Sequence, residues 1–184
     1  MRFYITGLPR SRTAWLANLM TNKDSFCFHE PVKYVQQSTQ EIEEYLDEKI
    51  MDYRYTGVCD SSIPFYNDNS FINPDEPLLV VVRPIEEVIE SMKKLNGQSL
   101  SHNIQLANKA SDNLEKFTEY HTNKMYVNSE DLDNPSTVES VMRFLTPDAD
   151  IDTDRINELV NVKVEYLYEK LEQMHMNLDK ALKL

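Results

Sequence analysis

The chain has 184 residues, 41% of them hydrophobic and 27% charged, and a formal net charge of −12. This length and balance describe one globular domain that buries roughly 70% of its unfolded surface, and they exclude a disordered tail. The charge excludes a general nucleic-acid binder, which needs Lys and Arg spread over a surface, but not a small anion held in a local basic pocket.

The first twenty residues contain Arg2, Arg10 and Arg12 and no acid. Arg2 to Thr6 predicts a short strand, Gly7 to Ser11 a turn, and Thr13 to Met20 a helix carrying Trp15, Leu16, Leu19 and Met20. Ser25 to Phe28 predicts a second strand and about Thr39 to Met51 a polar helix. A strand at Tyr55 to Cys59 and an irregular stretch from Ser61 to Pro77 follow. Leu78 to Val82 is an unbroken aliphatic run of the kind found in a sheet buried on both faces. After Pro84, suited to a first helical turn, Ile85, Val88, Ile89, Met92 and Leu95 recur at helical spacing. A longer helix over about Leu100 to Tyr120, a strand at Lys124 to Val127, and helices at about Ser136 to Leu145 and Asp154 to Leu182 complete the pattern. Strands alternating with helices predict an α/β three-layer sandwich: a mostly parallel sheet of about four or five strands, with helices on both faces. One domain over residues 1–184 is expected, its last part, 147–184, helical.

Cys27 and Cys59 match no zinc spacing and are too few for a disulfide framework, so buried free thiols are expected, and no metal site. Leu78 to Val82 is far too short to span a membrane, and Phe3-Tyr4-Ile5 too short for a signal sequence. A cytoplasmic protein without a membrane or nucleic-acid partner is expected. His102, His121 and His175 fall in predicted helices without partners and read as surface residues. Val164, Leu167, Leu171, Met174, Leu178 and Ala181 form a short coiled-coil-like seam, which either packs on the protein's own core or supports a homodimer.

Gly7-Leu8-Pro9-Arg10-Ser11-Arg12-Thr13 joins a buried strand to a helix, where backbone amides and the helix dipole favour a phosphate or sulfate. Arg10 and Arg12 add charge there, and Ser11 and Thr13 add hydroxyl donors. A magnesium-dependent nucleotide kinase or GTPase needs Gly-Lys-Ser/Thr five residues after the first glycine. Here that place reads Arg12-Thr13-Ala14.

Pro9-Arg10-Ser11-Arg12-Thr13-Ala14-Trp15-Leu16 resembles the loop of P-loop sulfotransferases that grips the 5′-phosphosulfate of 3′-phosphoadenosine 5′-phosphosulfate (PAPS). Two further segments resemble that family in the same order. Val80-Val81-Val82-Arg83-Pro84 with Ser91 matches its strand-end Arg and the Ser eight residues on, which hold the cofactor's 3′-phosphate. Met125-Tyr126-Val127-Asn128-Ser129-Glu130-Asp131-Leu132 resembles its strand ending in Tyr-Glu-Asp-Leu. The resemblance covers about residues 1–146 and implies the P-loop NTPase-like sulfotransferase fold. It also implies PAPS as donor, 3′-phosphoadenosine 5′-phosphate (PAP) as product, and a cofactor site made of Gly7, Pro9, Arg10, Ser11, Arg12, Thr13, Ala14, Trp15, Arg83 and Ser91.

There are two departures. Arg12 stands at the family glycine, where a left-handed backbone would cost about 1 kcal/mol or more and the guanidinium could offset that by touching the sulfonate. The tail lacks the Arg-Lys-Gly segment with which cytosolic members complete the 3′-phosphate site.

Sulfuryl transfer needs in-line positioning, charge stabilisation and a base for the acceptor. The resemblance gives Arg10 the transferring group and leaving phosphate, without a metal. Glu30 ranks first as base because it resembles the family's Glu after the first helix; His29 ranks second and Asp60, at the end of the next strand, third. The expected activity is transfer to a hydroxyl or amine of a small-molecule or glycan acceptor. A nucleotide- or anion-binding protein of the same fold without turnover is the alternative, and a nucleotide kinase relative a weaker one.

Overall fold

The structure is a computed structural model that describes residues 1–31, 39–65, 72–96, 99–160 and 162. Five strands form one sheet: β1 (Arg2–Gly7), β2 (Ser25–His29), β3 (Tyr55–Cys59), β4 (Leu78–Val82) and β5 (Lys124–Asn128). Their order is β2-β3-β1-β4-β5, and every neighbouring pair is parallel. Six helices lie in the described residues: α1 (Thr13–Leu19), α2 (Thr39–Ile50), α3 (Ile85–Asn96), α4 (Leu100–Glu119), α5 (Pro135–Leu145) and α6 (Thr153–Val160). The predicted α/β architecture is therefore present.

Period-two alternation sends neighbouring residues of each strand to opposite faces. Phe3 and Ile5 of β1 with Leu79 and Val81 of β4 meet Trp15, Leu16 and Leu19 of α1, Val141 and Leu145 of α5, and Ile156 of α6. Tyr4, Val58, Leu78 and Val80 face the other way, onto Ile42 and Leu46 of α2 and Phe117 of α4. A third cluster packs Leu8, just past β1, against Val88 and Met92 of α3 and Ala107 and Ala110 of α4. The α3–α4 hairpin thus backs the loop after β1.

Two glycines permit close approach. A Cβ on Gly7 would lie 2.5 Å from the Val81 carbonyl oxygen, and one on Gly57 would overlap the Phe3 ring. Both thiols are free and buried, as expected.

Two expectations need correction. His121 is not a surface helix residue: it follows α4, is 6% exposed, and its Nδ1 pairs with the Phe117 carbonyl at 3.1 Å. Burial among Phe117 and its neighbours pushes its pKa below the ordinary value of 6.5. The last predicted helix does not run unbroken either, because α6 ends at Val160 and residue 162 is non-helical. His102 is exposed in α4. His175 and the seam from Val164 to Ala181 lie outside the described residues.

Candidate active site

In parallel sheets the carboxyl ends of the strands border the ligand crevice, at the place where strand order reverses. Here β1 is central, and three chain segments meet around its end. The turn after β1 runs over residues 8–12. Among the described non-glycine residues, those with positive φ are Arg10 (71°), Arg12 (62°) and Glu30 (44°), all at this edge. Such conformations cost on the order of 1 kcal/mol each and are kept where the surroundings enforce them. Left-handed residues on either side of Ser11 give an alternating backbone of the kind that turns successive N–H groups toward an anion. The Ser11 side chain is fully buried, and its hydroxyl has no hydrogen-bond partner. A buried hydroxyl without a partner is rare and fits a ligand oxygen. Helix α1 has only seven residues, so positive charge at the site comes mainly from arginine rather than from a helix dipole.

Register brings the second segment in. Gly7 pairs with Val81, so Arg83 emerges beside the turn. Its Nη1 donates to the Arg10 carbonyl, 73 residues earlier, and its Nε to Glu87 Oε2 at 3.2 Å. Arg10 Nε donates to Ser91 Oγ at 3.2 Å, 81 residues on. Arg10, Arg83 and Ser91, chosen from three separate positions in the sequence, therefore form one contact group. Glu87 was missed, although its i,i+4 spacing from Arg83 was readable.

The third segment supplies acids. His29 ends β2 opposite Cys59 of β3, and the Glu30 N–H donates to the Cys59 carbonyl at 3.0 Å. The Glu30 carboxylate lies 3.9 Å from His29 Nε2; the two side chains are 12% and 29% exposed. Asp60 is fully buried, its carbonyl accepts from the Thr6 hydroxyl at 2.9 Å, and its carboxylate accepts the Ser62 N–H at 2.7 Å and the Ser62 hydroxyl. Asp60 thus shapes the turn after β3, while Glu30 and His29 stand as a side-by-side pair. With β3 between β2 and β1, that pair lies about 10 Å along the sheet from the end of β1.

Arg12, Thr13 and Trp15 are placed differently from Arg10. Arg12 Nη1 donates to Asp133 Oδ1 at 2.7 Å and to the Ser129 carbonyl at 3.3 Å, so its guanidinium is held by the segment after β5. Trp15 is 5% exposed, belongs to the core, and donates its indole N–H to the Leu159 carbonyl at 3.0 Å. The hydrogen-bond partners of these two side chains are therefore Ser129, Asp133 and Leu159 rather than Ser91. The Thr13 carbonyl accepts from Cys59 Sγ at 3.1 Å. Burial first, then the neighbouring Cys27, pushes the Cys59 thiol pKa well up, so it is a protonated strut rather than a nucleophile. Among the described residues, no three His, Cys, Asp or Glu side chains gather as a metal-ligand set, and no helix is long and apolar enough to cross a membrane.

No protein-family model matches the chain, and no curated protein matches it. Solved structures do. A mouse sulfotransferase, SULT7A1, complexed with PAP superposes with a TM-score of 0.55 at 10% identity, over 86% of this chain and 62% of that one. A shikimate kinase from Bacteroides thetaiotaomicron superposes with a TM-score of 0.51 at 15% identity, over 88% of this chain and 99% of that one. The chain thus spans about three fifths of the sulfotransferase. At these identities the likeness shows the α/β P-loop-like fold, which is compatible with either activity.

Proposed function

We propose that this chain is a small sulfotransferase that takes PAPS as donor and passes its sulfuryl group to a hydroxyl or amine of a small-molecule or glycan acceptor. The observation that carries the reading is the convergence of Arg83 and Ser91 on Arg10. A kinase reading lacks its lysine, because Arg12-Thr13 stands where Gly-Lys is needed.

PAPS supplies the activated sulfuryl group. Arg83 and Ser91 hold the 3′-phosphate, and the Ser11 hydroxyl and the amides of residues 10–13 receive the 5′ end. Arg10 neutralises charge on the transferring group and on the leaving phosphate, a positioning and electrostatic role that needs no metal. Glu30 takes the acceptor's proton as its oxygen or nitrogen bonds to sulfur and the bond to the leaving phosphate breaks. His29 beside it is the second candidate and Asp60, occupied by Ser62, the third. Two buried thiols suit a reducing, cytoplasmic setting.

Calorimetric titration with PAP tests the site. Arg83→Ala removes charge-assisted hydrogen bonds worth roughly 1.5 to 3 kcal/mol and should weaken PAP about ten-fold or more. Equal affinity in wild type and variant overturns the reading. The alternative, an anion-binding protein without turnover, is favoured by the Arg12 guanidinium, which is paired with Asp133 rather than free to meet a sulfonate. Transfer of labelled sulfate from PAPS across a panel of acceptors separates enzyme from binder.

A further inference from the structure

Arg12 stands where the resembling loops carry glycine, has φ 62°, and precedes α1 with no side-chain cap bond. A glycine would reach that backbone at no steric cost but would leave other conformations open. Arg12 reaches it at a cost and is then held on three sides. Its Nη1 donates to Asp133 Oδ1 at 2.7 Å and to the Ser129 carbonyl at 3.3 Å. Its guanidinium carbon lies 4.6 Å from the centre of the Trp15 ring, and Trp15 is itself tied to Leu159. The two hydrogen bonds span 121 and 117 residues, so the turn after β1 is anchored to the turn after β5.

We propose that Arg12 is a positioning residue: its tie to Asp133 fixes the turn over residues 8–12 in its anion-receiving form before a ligand arrives. This rests on the reading of that turn as an anion site. The planar guanidinium suits the role, since one face covers Trp15 while its edge donates to two oxygens, which a lysine could not reproduce. Binding then avoids the entropy of ordering the turn, the usual benefit of preorganisation.

The rival role, a direct anion ligand, predicts the opposite sign for one substitution. Asp133 is an exposed carboxylate near the site, with 63% of its side chain accessible. If Arg12 were a ligand, Asp133→Asn would free its guanidinium and remove a repelling charge, and anions would bind more tightly. If Arg12 positions the turn, Asp133→Asn loosens the turn and anions bind less tightly.

The experiment compares wild type, Asp133→Asn, Asp133→Glu, Arg12→Gly and the Arg12→Gly/Asp133→Asn double variant. Amide hydrogen exchange is measured in the unliganded proteins, and PAP affinity by calorimetry. Expected results are faster exchange at Leu8 and Arg10 to Ala14 in Asp133→Asn with β1 and β4 unchanged, and PAP binding weakened about five-fold, the scale of a partly exposed ion pair. Arg12→Gly should match it, the double variant should add no further loss, and Asp133→Glu should restore both readouts. Unchanged exchange in Asp133→Asn, tighter PAP binding, or additive losses overturn the proposal. If no form binds PAP, the sulfotransferase reading falls while exchange at the turn still decides the role of Arg12.

Discussion

A side chain that takes a proton during transfer contributes roughly 10² to 10⁴ in rate. On the proposed reading Glu30→Gln should therefore lower kcat by at least about 100-fold while leaving PAP affinity unchanged, checked by turnover and titration on the same preparation. Near-normal turnover moves the role to His29. His121 sets a different pH response. Because burial lowers its pKa, the unfolded chain takes up a proton more readily than the folded one. Stability from neutral His121 is complete above pH about 6.5 and is lost as pH falls through the lower folded value. Urea unfolding between pH 7.5 and 5 should show this decline, and His121→Phe should flatten it. Residue identity was readable at Arg10, Arg83 and Ser91 because their types and spacing are local to each segment. The burial of His121 was not, since it depends on α4 ending one residue before Tyr120 and the chain turning inward.

The elements themselves were largely legible. Leu78 to Val82 is a five-residue aliphatic run, and a strand buried on both faces is the structure that accommodates it. The strand ends were less so: β1, β2 and β5 each run one residue past the predicted end, to Gly7, His29 and Asn128, continued by pairing with neighbours that local pattern does not reveal. Gly7→Ala tests that pairing. Its methyl would press on the Val81 carbonyl, forcing β1 and β4 apart at a cost of about 2 kcal/mol, read as a lower urea midpoint, and PAP affinity should fall because Arg83 shifts. Helix α1 depends on α6 in a way no local signal announces. Arg155 Nη2 donates to the Asn18 and Thr21 carbonyls at 2.7 and 2.8 Å, closing the C-terminal end of α1. Arg155→Ala should cost about 1 kcal/mol of stability by urea unfolding.

At the scale of the molecule, a net charge of −12 surrounds a site built on Arg10 and Arg83. The Debye length is about 30 Å at 0.01 M salt and about 8 Å at 0.15 M. A highly charged anion such as PAP therefore approaches against the whole protein's field at low salt, but meets only the local arginines at physiological salt. Its association rate should rise between those conditions, the reverse of ordinary steering, and stopped-flow mixing measures it. A steady fall with salt would mean that the local field dominates at every distance.

The indole bond from Trp15 to Leu159, across 144 residues, has a consequence during synthesis. The turn after β1 is synthesised before its anchors at Ser129, Asp133 and Leu159, which follow more than a hundred residues later. At about 5 to 20 residues per second, the nascent turn waits roughly 7 to 30 s for the last of them. Affinity for anions therefore arises only once α6 has been made, in step with that helix rather than with the segment that carries the arginines.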